Sequence, residues 1–207
     1  MSTAVGAALF ALFWFMWYPA PLFKATGGHH VFLMLLAIDV VLGPLLTLIV
    51  FQTGKKSLKI DLLVIGLLQV AALSYGAYFL TIGRPVYVAA LGHRFDLVTA
   101  NEIREVDLIK AGKRLPWIGP EWVGIKPADD PLEKERVMFS ALGGADYGHF
   151  PQHHAPLQTM RSEILQNAMP LRKLETYNVG RSAEIQAWLA AHGISESNTV
   201  FQGLKAH

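Results

Sequence analysis

Residues 31–53 read VFLMLLAIDVVLGPLLTLIVFQT, and Asp39 is the one charge among them. A helix needs about 20 apolar residues to cross roughly 30 Å of hydrocarbon, so this run is long enough to span a bilayer. Two more runs flank it. Residues 4–23 carry no charge, and residues 60–83 read IDLLVIGLLQVAALSYGAYFLTIG, with Asp61 at the start and Gln69 inside. The pattern predicts three transmembrane helices at about 4–23, 31–53 and 60–83. The competing reading is a helical hairpin buried in a soluble protein. The 124 residues after Gly83 are too few to cover three such helices on every side.

Composition divides the chain at the same place. Its 207 residues carry 18 Lys+Arg and 16 Asp+Glu, and only six of these charges precede Arg84. From Arg84 onward there are 14 basic and 14 acidic side chains. The expected organisation is a three-helix membrane region over 1–83 and a small α+β extramembrane domain over 84–207. A net charge of +2 gives no phosphate-sized basic field, which argues against nucleic-acid binding. With no cysteine there is no disulfide framework and no thiolate chemistry.

Orientation follows from the short loops. Lys55, Lys56 and Lys59 fall in 54–59, whereas 24–30 holds only Lys24. The lysine-rich loop belongs in the cytoplasm, which puts the N terminus there too and the residues after Gly83 outside, in the periplasm of a Gram-negative cell. The first run has no Lys or Arg before it, and Pro19 and Pro21 stand where a signal peptide needs small residues. It reads as a retained helix, with Trp14, Trp17 and Tyr18 as an interfacial belt.

Polar groups inside the spans are candidate contact points. Asp39 lies about 12 Å into the second span at 1.5 Å per residue. A carboxylate there is costly unless partnered. Ser74, Tyr75 and Tyr78 of the third span reach a similar depth and can donate to it, or accept from it if it is protonated; contact with a partner's helix and a proton or ion path are the other readings. Pro44, after Gly43, removes one helix donor, and Thr47 or Gln69 can satisfy the carbonyl left free. Ala72 and Gly76 form a small-xxx-small step that permits close helix approach. Asp61 sits in a first helical turn, where it complements the helix dipole. Asp39 and Asp61 belong near opposite membrane faces with no GxGD run around either, which excludes a shared aspartyl-protease site.

After Arg84-Pro85 ends the third helix, 86–91 and 94–99 read as strands around a Gly92-His93 turn. Helices are expected at 101–112, 131–142, 157–169 and 182–192, an irregular stretch at 148–156, a short strand within 115–126 and a last strand at 199–204. His149, His153 and His154, with Asp146 nearby, form the one site-like cluster. Pro151 breaks helical spacing, so a solvated polar loop is the expectation over a metal site. Asp107, Ser140, Ser162 and His192 set up no nucleophile, base and oxyanion hole. The expectation is a protein that is not an enzyme, with no cofactor and no metal.

Several strings together resemble the TfpX/TfpZ family of type IV pilin accessory proteins. They are Tyr18-Pro19-Ala20-Pro21-Leu22-Phe23, Gly27-Gly28, and Asp39-Val40-Val41-Leu42-Gly43-Pro44-Leu45-Leu46-Thr47. Lys59-Ile60-Asp61-Leu62, Gln69, Tyr75-Gly76, Arg84-Pro85-Val86 and Arg94-Phe95 extend the likeness. The resemblance implies a multi-pass inner-membrane protein with a periplasmic domain that stabilises a cognate type IV pilin or modulates pilus assembly. Its partners would be lipid, the pilin's transmembrane helix and the pilin headgroup. No catalytic residue comes with it. A membrane-anchored periplasmic sensor with a closed apolar pocket, and a small transporter using Asp39, are the rival expectations.

Overall fold

A computed structural model describes residues 11, 14–19, 22–37, 41, 43–50 and 57–206. They fall into two compact units. The first takes Met1–Val86, Thr99–Glu102 and Leu115–Pro120; the second takes Tyr87–Val98, Ile103–Arg114 and Glu121–His207.

The first unit is helical. The described part of run 4–23 is helical at 14–16, leaves the helix at Trp17, and resumes as α1, Leu22–Ala25. The run at 31–53 is described as α2, Gly28–Ala37, and α3, Gly43–Val50. Pro44 is the second residue of α3, and Val41 just before that helix is π-helical. Asp39, Lys55 and Lys56 lie outside the described residues.

The longest helix is α4, Leu58–Ile82, close to the expected 60–83. Among the described residues it is the one helix long and apolar enough to cross a membrane. Asp61 favours its start through the dipole, and Gly83 N–H closes its end on Phe79 O at 2.9 Å. Both α2 and α3 pack against it. Most of its apolar surface is nevertheless open: Leu63, Leu67, Leu68 and Val70 are all about 60% exposed. In water such a surface would be strongly unfavourable.

The second unit is built on a five-stranded sheet in the order β4-β3-β1-β2-β7. Its strands are β1 (Pro85–Ala90), β2 (Phe95–Thr99), β3 (Glu121–Ile125), β4 (His154–Pro156) and β7 (Leu204–Lys205). β1 holds the centre because Val86, Tyr87, Val88, Ala89 and Ala90 form an unbroken apolar run that suits a strand covered on both faces. Leu97 and Val98 of β2 join it in the core. Small size matters at Gly148, where a Cβ would lie 3.0 Å from that of Ala89.

The sheet is mixed, in a domain that combines helices and strands as expected. β1 pairs parallel with β3 and β2 with β7, whereas β3 with β4 is antiparallel, as is the β1–β2 hairpin, closed by Leu91 N–H to Arg94 O and Ala100 N–H to Arg84 O. Parallel neighbours need crossovers, and α5 (Glu105–Ala111) lies on the one leading to β3. The expected helix at 101–112 is divided: a 3-10 turn at Ala100–Glu102 precedes α5, with Arg104 extended between them. Glu102 accepts from Thr99 N–H at 2.7 Å, which ties off the turn.

Elsewhere α6 spans Pro131–Leu142, capped by Asp130, as its Pro and Gly punctuation predicts. Residues 157–160 are 3-10 before α7, Arg161–Asn167. Two short helices follow, α8 (Lys173–Tyr177) and α9 (Ser182–Ala191). The expected last strand splits in two. β6, Val200–Phe201, pairs with β5, Met169–Pro170, and only then does β7 join the main sheet. Gln202 holds the bend by donating to Gly92 O at 2.7 Å and Ile164 O at 2.8 Å.

Candidate functional site

The first unit gathers its aromatic residues at the C-terminal end of α4. Trp17, Tyr18, Phe23 and Leu80 form a buried cluster, with Trp14, Met16, Phe32 and Ala77 packed on it. Tyr18 leaves its helical run at the turn and points its hydroxyl back to Leu80 O, 3.1 Å away. That carbonyl is one of the last four in α4, which lack intrahelical donors, so the bond satisfies an end group.

Arg84 stands just past this helix end and is 7% exposed. Its Nη1 donates to Thr81 O at 2.8 Å. Its guanidinium lies 5.7 Å from the Trp17 ring centre and 5.1 Å from that of Trp117, within cation–π range of both. Burial lowers its pKa, opposed by the charge interaction with Tyr18. The two indoles meet edge to face at 5.5 Å, and Trp17 Nε1 donates to Trp117 O at 2.7 Å. Gly119 N–H donates to Met16 O at 2.6 Å. The 115–120 loop is thereby fastened to the helix end at two backbone positions.

The candidate contact residues occupy different places. Arg84 is in this aromatic collar. Gly76 is buried on α4, Gln69 is half-buried, and Tyr75 is 66% exposed beside Phe79. Asp61 accepts from Ser57 Oγ at 3.1 Å at the opposite end of the helix. Pro44 is exposed on α3. The structure therefore strings these groups along the helices instead of converging them on one centre. Asp39, expected to meet Ser74, Tyr75 or Tyr78, is outside the described residues.

Charge in the second unit is organised around two buried carboxylates. Asp107, 1% exposed, accepts from Arg104 Nε at 2.7 Å and from Arg136 Nη2 at 2.8 Å. Burial alone would raise its pKa, but hydrogen bonds and charge from the two arginines outweigh it and hold the carboxyl below its usual range. Asp96, also 1% exposed, is gripped by Arg94 at 2.6 Å, and Arg94 reaches on to Asp146 at 3.2 Å. Ser140 is spent on Arg136 O at 2.8 Å. These partners neutralise buried charge and fix loops.

The histidines are not on a solvated loop, which corrects the sequence expectation. His149 and His153 are buried, because the segment folds as two 3-10 turns under β1 neighbours. His149 Nδ1 accepts from Asp146 N–H at 3.0 Å in a capping box. His154 Nε2 donates to Gly148 O at 2.8 Å, and its ring meets Tyr87 edge-on at 4.5 Å. Burial pushes the His154 pKa down to about 4. Each ring serves packing or a turn, and no group of His, Cys, Asp or Glu fit to hold a metal ion occurs among the described residues.

A cleft of about 570 Å³ lies beside these turns, lined by Lys110, Lys126, Asp130, Glu133, Gln152 and His153 among others. Its lining is charged, unlike the closed apolar pocket expected of the sensor alternative. Sequence reasoning missed the role of Trp117. The local signal was present, an apolar Trp117-Ile118 pair between prolines, but its partner is 100 residues away.

Comparison with known proteins finds relatives over most of the chain. A fimbrial assembly protein of Dichelobacter nodosus, serogroup I, is 29% identical over 176 residues, covering 83% of this chain and 68% of that protein. The serogroup E1 protein of the same organism is 28% identical over 176 residues with the same coverage. The protein of serogroups C1 and C2 is 40% identical over 90 residues, 42% of this chain and 69% of that protein. No family model matches the chain. No solved structure matches it.

Proposed function

The chain belongs to the family of fimbrial assembly proteins, and from that premise we propose that it serves type IV fimbrial biogenesis as an inner-membrane accessory protein of the TfpX/TfpZ kind. In this reading three helices span the membrane, the N terminus is cytoplasmic and the second unit is periplasmic. The protein stabilises a cognate pilin, or modulates its assembly, through helix contacts in the bilayer and through the outer domain. It is not an enzyme and uses no cofactor.

The observation that carries the proposal is the open apolar flank of α4 in a chain with these relatives. A pilin awaiting assembly is held in the membrane by an apolar helix of its own. A helix that leaves Leu63, Leu67, Leu68 and Tyr75 exposed, with Asp61 in its first turn, suits lateral contact of defined register, while buried Gly76 serves packing within the chain. Asp61, at the end of α4 placed towards the cytoplasm, is positioned to pair with a pilin's terminal amine. Asp39 is assigned to the opposite half of the membrane.

The test is photo-crosslinking in cells from Leu67 and Tyr75, with identification of the captured protein, alongside pilin abundance in a strain lacking this chain. Pilin adducts and altered pilin abundance or piliation support the proposal. Unchanged pilin abundance and piliation, with no pilin captured from either position, overturn it.

A further inference from the structure

We propose that the Leu115–Pro120 loop is a second membrane contact, with Trp117 and Ile118 seated among lipid headgroups beside the C-terminal end of α4. The proposal rests on reading α4 as a bilayer span. The loop follows the second unit's α5 in sequence, yet it packs in the compact unit that contains α4.

Its attachment leaves its most apolar side chains uncovered. Trp117 is 60% exposed and Ile118 70% exposed, while the backbone behind them is held by the bonds to Trp17 and Met16. Arg84, two residues beyond α4, is in cation–π contact with Trp117. Exposed Trp117 therefore sits at the level where a spanning helix gives way to water. Indole is the side chain most suited to that level: its ring is apolar, its N–H is polar, and its face accepts a cation. Lys113 and Arg114, both exposed, immediately precede the loop and suit lipid phosphates. A rigid, aromatic, cation-flanked projection continuous with the end of a span has the chemistry of an interfacial anchor.

The absence of cysteine makes the experiment direct, because a single introduced thiol is the only one present. The full chain is made as Ile118→Cys, spin-labelled and reconstituted in vesicles of phosphatidylethanolamine and phosphatidylglycerol. Collision rates are compared for oxygen, which concentrates in lipid, and a nickel chelate, which does not. Val179→Cys, at an 89% exposed position of the second unit, supplies the aqueous reference, and Leu68→Cys on α4 the lipid reference. The proposal expects the oxygen-to-nickel ratio at position 118 to lie several-fold above the Val179 value and below the Leu68 value. A ratio equal to that at Val179 overturns it. So does a label shielded from both reagents, which would mean that protein, a pilin included, covers the loop. If Leu68 also reports water, the span itself is wrong; if Leu68 reports lipid and position 118 does not, only the loop assignment fails.

A second readout leaves the chain free of cysteine. Lipids brominated near the carbonyl should quench less of the total fluorescence in Trp117→Phe than in Trp188→Phe. Equal quenching counts against the proposal.

Discussion

The guanidinium of Arg84 lies 5.1 Å from the ring centre of Trp117, more than thirty residues along the chain, and joins the helix end to the loop. A lysine in its place keeps the charge but loses the planar contact with two indoles. Each cation–π contact contributes about 0.5–1 kcal/mol at partly exposed sites. Arg84→Lys should lower the thermal midpoint of the full chain in detergent, and Trp117→Leu should lower it less once Arg84 is already lysine. Equal effects of Trp117→Leu in both backgrounds would show that the contact is not coupled.

Asp107 presents a different kind of dependence. Two arginines serve it, and both keep an outlet once the carboxylate is gone: Arg136 still pairs with Glu133 at 2.8 Å, and Arg104 reaches solvent. Asp107→Ala should therefore cost about 2 kcal/mol, the scale of the charge-assisted hydrogen bonds it removes. Urea unfolding of the full chain, followed by tryptophan fluorescence, measures it. A loss below about 0.5 kcal/mol, the range of an ordinary surface change, would contradict the assignment.

Acid should weaken the second unit in a defined window. His154 is neutral when folded and holds a pKa near 4, against an ordinary value of 6.5. Below pH 6.5 the unfolded chain therefore binds a proton that the folded chain resists. Stability falls as pH drops from 6.5 towards 4, and below that the folded ring protonates as well. Asp107, whose pKa is held low, adds a loss in the same direction at still lower pH, through and below the ordinary carboxylate range. His154→Gln retains a donor for Gly148 O and should flatten the profile between pH 6.5 and 4. An unchanged slope would remove His154 as its source.

Asp61 tests the partner. If the carboxylate pairs with a pilin's terminal amine, Asp61→Asn should reduce pilin co-purification several-fold while leaving the melting behaviour near that of the parent. Ser57→Ala, which removes the local donor to Asp61, should not reproduce that loss. Pilin recovery unaffected by Asp61→Asn would dismiss the pairing.

What the sequence disclosed was whatever its physics keeps local. The limits of α4 are legible because an apolar run meets Lys59 on one side and Arg84 on the other. α6 is legible because Asp130 caps it, Pro131 opens it and Gly143 follows it. Strand pairing is not local. Nothing in Leu204-Lys205 says that it runs parallel to Phe95-Asp96, or in Glu121–Ile125 that it runs parallel to β1. The histidines misled for the same reason: three imidazoles beside proline look solvated until Tyr87 and Gly148 are brought against them. Of the candidate contacts, Arg84 could be chosen from Arg84-Pro85-Val86, but its indole partners could not.

The pairing of β2 with β7 has a practical consequence. Phe95 and Leu204 are more than a hundred residues apart, so during synthesis β2 keeps a bare edge until almost everything between them has been made. A nonsense mutation before Leu204 would leave that border of β2 bare and adhesive.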